Sequence, residues 1–189
     1  MYETANALIT YVPETGKFYW KQRDEFWIPS AGRRNHWNNR FAFKECFFTV
    51  DANGYRIGSL LNKNYYAHRV AWLLTHGEWP EHEIDHINGV RGDNRLVNLR
   101  SVTSQENGKN QGMKVNNTSG VVGVIWDKRQ RKWVARIRTM NIWFRLGSFA
   151  TKAEAVAARQ AAEIAFGFHP NHGLRPSVPE PDYRRPVKL

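Results

Sequence analysis

The sequence predicts an α+β protein in two parts, and three observations support this. Strand and helix patterns alternate over residues 1–107, residues 108–118 have the composition of a linker, and strand patterns before an alanine-rich helix occupy 119–168. The 189 residues are enough for one compact domain or two small ones. We therefore expect an N-terminal domain with its core at about 65–107, a linker, a second domain, and an irregular proline-containing tail at 169–189.

The N-terminal elements are predicted from turn residues. Residues 7–22 predict a short helix, a turn and a strand, because Pro13 ends a helix and Thr15-Gly16 is a turn pair. Residues 23–46 mix arginines with aromatic residues and show no clear period. They predict a connecting loop with packed aromatics, and an additional DNA-contacting loop stays open as the alternative.

Strands and helices alternate through the middle of the chain. Residues 47–50 and 55–57 predict a hairpin around an Asn-Gly turn, and 67–74 predict a helix with an apolar stripe. A short strand is expected at Glu83–His86, and a further helix is expected to start near Ser104. A polar loop region connects that strand to that helix.

The C-terminal part predicts strands at about 121–126, 132–139 and 142–147, then a helix at about 151–166 with seven alanines. Alternation gives the second and third strands two different faces. The apolar face, which suits packing on the helix, carries Trp133, Ala135, Ile137, Phe144 and Leu146. The opposite face carries Arg136, Arg138, Trp143 and Arg145. Such an arginine-rich face can enter the major groove of DNA, or it can be a solvated basic surface.

Charge indicates a polyanionic partner. The formal net charge is +11, and residues 1–113 carry 14 Lys or Arg against 12 Asp or Glu, whereas 114–189 carry 14 against 5. Basic proteins bind polyanions because each neutralised phosphate releases a counterion. Charge alone does not choose between DNA, RNA and an anionic membrane, but no apolar run approaches the length of a spanning helix.

Cysteine content and the amino terminus indicate the compartment. Cys46 is the single cysteine, which excludes a disulfide framework or a cysteine-based zinc site within one chain. The first residues lack the basic start and apolar run of a secretory signal. We expect a cytoplasmic protein.

The residues that can carry chemistry are Asp85 and His86, with Asn98 and Asn107 following His86 by 12 and 21 positions. Hydrolysis of a phosphodiester needs a base for the attacking water and a charge that stabilises the transition state. His86 can be that base, since an ordinary histidine pKa lies near neutrality. Asp85 and Asn107 offer the oxygen ligands that Mg²⁺ or Mn²⁺ prefers.

The string His82-Glu83-Ile84-Asp85-His86 also has the form of a zinc-metalloprotease motif. That chemistry requires both histidines on one face of a helix. Pro80 and Asn88-Gly89 leave hardly two helical turns, so the sequence argues against this interpretation.

A wider pattern surrounds the Asp-His pair. Its segments are Ile84-Asp85-His86-Ile87-Asn88-Gly89, Asp93-Asn94-Arg95-Leu96-Val97-Asn98-Leu99-Arg100, Val102-Thr103 and Glu106-Asn107, preceded by His68-Arg69-Val70-Ala71. Over about residues 65–110 this resembles the HNH homing-type endonucleases of phages and mobile introns. The resemblance implies a ββα-metal fold in which Asp85 and Asn107 bind one divalent metal ion, His86 activates water, and Asn98 holds the loop and orients the His86 strand.

The C-terminal run, from Gly120 through Trp133 to the alanine-rich helix, resembles the AP2 DNA-binding domain over about residues 117–168. The resemblance implies DNA contact by Arg136, Arg138, Trp143 and Arg145, with phosphate contacts from Lys128, Arg129 and Arg131 in the preceding hairpin. Ile125 and Asp127 stand where plant members often have arginine, so base preference cannot be transferred.

These observations predict a metal-dependent DNA endonuclease that binds double-stranded DNA and is a site-preferring nicking or homing-type enzyme. We expect a monomer or weak dimer that needs one Mg²⁺ or Mn²⁺ ion, no small-molecule cofactor and no membrane. The alternative is a non-catalytic DNA-binding regulator that uses the AP2-like domain.

Overall fold

The computed structural model describes residues 1–113 and 116–174. It divides into two compact units, residues 1–101 and the described residues from 102 onward. The expected tail beyond residue 174 and positions 114–115 of the expected linker lie outside the described residues. The elements of the first unit are α1 (Tyr2–Leu8), β1 (Ile9–Val12), β2 (Lys17–Trp20), α2 (Ala31–Phe41), β3 (Glu45–Cys46), β4 (Thr49–Val50), β5 (Arg56–Leu60), β6 (Lys63–Tyr66), α3 (Ala67–His76), β7 (Glu83–His86) and a 3₁₀ turn (Leu96–Asn98). They are followed by β8 (Leu99–Val102), α4 (Ser104–Gly108), β9 (Val124–Asp127), β10 (Lys132–Thr139), β11 (Ile142–Phe149) and α5 (Lys152–Ala165).

An antiparallel hairpin forms the amino-terminal part of the first unit. The prediction of a helix up to Pro13 is wrong: α1 ends at Leu8, and β1 pairs with β2, with Tyr11 opposite Phe18. The two rings lie 4.9 Å apart, and Phe18 is almost fully buried. β-branched and aromatic residues on both segments favour cross-strand pairing over a further helical turn.

The core of the first unit lies between this hairpin, the β4–β5–β6 sheet and α3. The predicted helix at 67–74 is confirmed and extends to His76, where Gly77 ends it in the left-handed conformation. Val70 and Leu73 of its apolar stripe are buried. β7 and β8 form a separate two-stranded sheet, which confirms the strand expected at Glu83–His86.

The expectation of a plain connecting loop at 23–46 is wrong, because Ala31–Phe41 is a helix. Its inner side is fixed by Arg23, whose guanidinium lies 4.3 Å from the centre of the Trp37 ring and donates to the Leu8 carbonyl. The Asn38 side chain also accepts the Arg23 N–H and donates to the Arg23 carbonyl. None of the helix residues is fully buried, so the periodic apolar signal of an ordinary surface helix is missing.

The second unit contains the antiparallel sheet β11–β10–β9 with α5 packed on it. Strands were expected near these positions, and the helix predicted at about 151–166 is confirmed as Lys152–Ala165. A capping box formed by Thr151 and Glu154 starts that helix. Residues 109–113 hydrogen-bond to the chain at 169–174 through backbone groups. No helix among the described residues is both long and apolar enough to cross a membrane.

Gly16 allows the hairpin to pack closely on the chain at Asn94–Arg95. Its φ is +70°, and an added Cβ would lie 2.6 Å from the Arg95 backbone nitrogen.

We predict that Gly16→Ala destabilises the protein by about 2–4 kcal/mol, combining left-handed strain with overpacking. Gly54→Ala is the control, since Gly54 has a φ of +89° with no atom within 4 Å of the added Cβ, and should cost roughly 1–2 kcal/mol. Urea denaturation of both variants measures the difference, and equal losses would show that the close packing has no effect.

Candidate active site

The loop between β7 and β8 is closed by Asn98. Its side-chain oxygen accepts the Asn88 backbone N–H at 2.9 Å, and its amide nitrogen donates to the Asp93 carbonyl at 2.8 Å. Its backbone carbonyl accepts the Ile87 N–H at 2.9 Å. Because Asn98 is buried, these bonds form away from water and hold the two ends of the loop together.

His86 is the last residue of β7, and only 4% of it is exposed. The rings of Tyr55 and His68 pack around it with centroid distances of 5.9 and 5.2 Å. Asn94 Oδ1 lies 3.4 Å from His86 Nε2, and Asn94 Nδ2 donates to the Gly92 carbonyl at 3.3 Å. Since an amide oxygen only accepts, Nε2 is the donor where this contact is a hydrogen bond.

Asn94 is a site residue to which the sequence assigned no role. It is 1% exposed, and its carbonyl accepts the Tyr11 hydroxyl at 2.8 Å. The Leu96 N–H donates to the Pro13 carbonyl at 3.0 Å, so the N-terminal hairpin holds the segment that contacts the histidine. In the sequence, Asn94 stands within a run of polar residues. Such a run does not distinguish a buried asparagine from an ordinary loop residue.

Asp85 and Arg100 join β7 and β8 through an ion pair. Arg100 Nε and Nη2 both donate to Asp85 Oδ2, at 2.9 and 2.7 Å. Asp85 is 7% exposed, and a carboxylate that is this deeply buried requires a charged or hydrogen-bonding partner. Arg100 belongs to the motif pattern, but the pattern alone predicts no role for it.

Both buried histidines of the site are neutral at neutral pH. Burial, with smaller contributions from His86 and Arg69, lowers the pKa of His68 to about 3. Burial also lowers the pKa of His86, against the opposing effects of the Asn94 hydrogen bond and the Asp85 charge. His68 Nδ1 has no hydrogen-bond partner among the described residues. The ring of His68 packs against the rings of Tyr55, Tyr66 and His86.

The metalloprotease motif is excluded by secondary structure. Glu83–His86 is a strand, and His82 is exposed before it. The two histidines therefore do not lie on one face of a helix, as that motif requires.

Asn107 lies in α4, in the second unit. The helix begins with a capping box in which Thr103 accepts the Glu106 N–H and Glu106 accepts the Thr103 N–H. The helix start expected near Ser104 is confirmed. Among the described residues, no group of three or more His, Cys, Asp or Glu side chains is placed to hold a metal ion.

The arginine-bearing face of the second unit is set by strand register. Arg136 pairs with Arg145 and Arg138 pairs with Trp143, which puts these four side chains on one side of the sheet. The guanidinium carbons of Arg136 and Arg138 lie 4.5 and 5.9 Å from the centre of the Trp143 ring. Arginines above an exposed tryptophan form a cationic and aromatic surface.

A buried arginine supports this face from behind. The register shifts between Ala135 and Arg136, where the Arg136 N–H donates to the Gly123 carbonyl at 2.8 Å. Arg159, 2% exposed, donates to the Arg136 carbonyl and to Glu163, both at 2.8 Å. These contacts hold the backbone that carries the exposed Arg136 side chain.

The hairpin between β9 and β10 exposes Lys128, Arg129 and Arg131. Its turn is held by Asp127, whose carboxylate accepts the N–H groups of Arg129 and Gln130 at 2.9 and 3.1 Å. Asp127, which departs from the plant AP2 pattern, thus has a structural role here.

We predict that burial of His68 makes the first unit sensitive to acid. The unfolded chain binds a proton on this histidine near its ordinary pKa of 6.5, whereas the folded chain binds it only near 3. Stability is therefore fully present above about pH 6.5 and falls on acidification, by at most about 1.4 kcal/mol per pH unit for this residue. Urea denaturation between about pH 7 and pH 5 should show a weaker pH dependence for His68→Phe than for the wild type. His82→Phe is the control at an exposed site, and its stability should have the pH dependence of the wild type. If His68→Phe also keeps the wild-type pH dependence, the lowered pKa of His68 does not contribute to acid sensitivity.

The comparisons with known proteins match the segment that contains these residues. Residues 65–109 match a family model described as HNH endonuclease. A 67-residue stretch is 36% identical to Protein 3.8 of Escherichia phage T7 and covers 35% of this chain and 55% of that protein. The chain thus spans about half the length of this curated relative, and no solved structure matches it. Residues 65–109, which include Asp85, His86 and Asn98, are therefore similar to the HNH endonuclease family.

Proposed function

We propose that this protein is a metal-dependent endonuclease that hydrolyses phosphodiester bonds of double-stranded DNA. The observation that carries the proposal is His86, a buried neutral histidine held by Asn94 within an HNH endonuclease domain. A general base must be unprotonated at the working pH, and its lone pair must have a defined direction. Burial supports the first requirement, and the contact with Asn94 supports the second.

In this proposal the imidazole of His86 takes the proton of the attacking water, and the contact of Nε2 with Asn94 orients the ring. Tyr55 and His68 limit rotation of the ring through their packing. Asn98 is a positioning residue that acts through the loop it closes. The water attacks phosphorus, the bond to the leaving oxygen breaks, and the proton passes to the histidine.

HNH nucleases generally use a divalent metal ion, and we propose Mg²⁺ or Mn²⁺ here. Bound, this ion supplies positive charge that stabilises the phosphorane-like transition state and the leaving oxygen. Asp85 fits such an ion, since Mg²⁺ is often held by one or two carboxylates, with water and substrate phosphate completing its ligands. Arg100 already contacts Oδ2 of this carboxylate and would share it or be displaced. Asn107 stays a predicted second ligand.

DNA binding is assigned to the arginine-bearing face of the second unit, as an AP2-like domain. Arg136, Arg138 and Arg145 surround an exposed tryptophan and can contact phosphates and guanine edges. Lys128, Arg129 and Arg131 extend this surface as phosphate contacts. The resemblance over residues 117–168 supports this assignment.

A single catalytic histidine per chain favours nicking of one strand by a monomer or weak dimer. Site preference of the homing type follows from the resemblance to mobile-element nucleases. Cutting of both strands in one encounter by a monomer would contradict the nicking assignment.

We predict that His86→Ala abolishes nicking of supercoiled plasmid in Mg²⁺ or Mn²⁺, with a loss of at least about 100-fold because the base is removed. His82→Ala is the matched control, since His82 is exposed and four residues upstream, and it should cut like the wild type. EDTA should stop cutting by every active variant.

Retained cutting by His86→Ala would overturn the assigned site. Metal-independent DNA binding without cutting on any substrate tested, including DNA from the natural source, would favour the non-catalytic regulator.

We predict that Arg136→Gln with Arg138→Gln weakens binding of duplex DNA in EDTA and reduces the slope of log affinity against log salt by about two. Fluorescence anisotropy at several salt concentrations measures both quantities. Lys152→Gln, an exposed change on α5, is the control and should preserve the slope. A double variant with wild-type affinity and slope would exclude this face as the DNA surface.

A further inference from the structure

The exposed side of α2 has a composition that packing does not explain. Its inner side consists of Arg34, Trp37, Asn38 and Phe41, which are half-buried. Its outer side consists of Gly32, Arg33, Asn35, His36, Asn39 and Arg40. Exposed helix positions are usually filled by strong helix formers and by acid–base pairs that stabilise the helix. Here they carry glycine and asparagine, and residues 26–44 contain no acidic side chain.

Arg33 and Arg40 differ from the other arginines of the first unit. Residues 1–101 contain nine arginines. Seven of them donate to a carboxylate or a backbone carbonyl: Arg23, Arg34, Arg56, Arg69, Arg91, Arg95 and Arg100. The side chains of Arg33 and Arg40 make no hydrogen bond or ion pair with a described residue, and both residues are exposed on the outer side of α2. The Arg40 guanidinium lies 5.1 Å from the centre of the Phe41 ring.

Helix electrostatics also disfavours this arrangement in the free protein. Arg33 lies in the first turn of α2, where the helix dipole destabilises positive charge, and no acidic residue compensates it there. A negatively charged partner would remove this penalty and would satisfy the unpaired guanidinium groups.

The spacing of the two arginines suits a phosphate backbone. They are seven residues apart, which places them on the same side of the helix about 10 Å apart along its axis. One DNA strand carries a phosphate for about every 3.4 Å of duplex axis, so the two guanidinium groups can reach separate phosphates of one strand. His36, three residues after Arg33 and four before Arg40, lies on the same exposed side and offers a further hydrogen-bonding group.

We infer that the outer side of α2 is a second DNA-docking surface, in the unit that contains His86, and that Arg33 and Arg40 contact phosphates of the duplex. The inference rests on the proposed function for the identity of the polyanion. It adds a surface that is separate in sequence from the arginine-bearing sheet. The rigid attachment of α2, through Arg23 and Trp37, holds the two guanidinium groups on a fixed element.

The test is binding of the full chain to a mixed-sequence DNA duplex about three helical turns long, measured by anisotropy in EDTA over a range of salt. Each lost phosphate contact reduces the salt slope by about 0.9, and at about 0.1 M salt this corresponds to roughly eightfold in affinity. We expect this reduction in slope and in affinity for Arg33→Gln and, separately, for Arg40→Gln. The double variant should show the sum of the two slope changes. Lys63→Gln is the control, because Lys63 is an exposed cation at the start of β6 and should preserve the slope.

The outcomes separate this inference from the proposed function. Wild-type binding and slope in the double variant, with plasmid nicking by the wild type, would overturn the α2 surface and leave the nuclease assignment intact. A wild-type chain that neither binds nor cuts DNA would overturn both. The same measurement on an RNA duplex of equal length tests the choice of DNA. If the double variant loses affinity for the RNA duplex and keeps its affinity for the DNA duplex, DNA is the wrong partner. Circular dichroism should show unchanged folding, since both side chains are exposed.

Discussion

The candidate site depends on the side-chain amide of Asn98. One buried amide accepts from Asn88 at the start of the β7–β8 loop and donates to Asp93 in its middle, and the same residue pairs through its backbone with Ile87. Without it, two backbone groups of the loop would lose their partners, and a polar group left without a partner costs more than its bond contributes when made. The loop also carries Asn94, so closure of the loop determines where the acceptor for His86 Nε2 lies. The side-chain amide of Asn98 therefore positions the loop, and the side-chain amide of Asn94 in that loop orients His86.

The loop is also hydrogen-bonded to the N-terminal hairpin. The Tyr11 hydroxyl donates to the Asn94 carbonyl, and the Pro13 carbonyl accepts from Leu96. Gly16 permits the close approach that these bonds require. The N-terminal hairpin, outside the matched segment at 65–109, thus has a structural connection to the nuclease motif. Its β-type pairing is consistent with this role, because a hairpin presents backbone groups at its turn that a helix would use internally.

The sequence predicted elements well where periodicity is strong and poorly where packing is unusual. The helix α3 and the strands β10 and β11 have clear apolar patterns and were located within a few residues. α2 was missed because its inner side includes Arg34 and Asn38, which hydrogen-bond where an ordinary helix would bury apolar groups. Of the candidate site, Asp85, His86 and Asn98 were predicted from spacing and resemblance, and their roles stay predictions. Their burial and the contacts with Asn94 and Arg100 depend on tertiary packing, which no local pattern encodes.

The buried polar groups of the candidate site lower the stability of the folded protein. Aromatic packing around them offsets part of this loss. Three buried groups are each less favourable here than an apolar side chain of the same size: His68, whose Nδ1 has no partner among the described residues, His86, and the carboxylate of Asp85, which pairs with the partly exposed Arg100. Tyr55 and Tyr66 pack on the rings of His68 and His86, so aromatic contacts replace part of the lost hydration. A fold selected for stability alone would place apolar residues here. The retention of three ionisable groups in the core beside a conformationally fixed loop is what a site for proton transfer requires, because proton transfer depends on a base with a defined charge and direction.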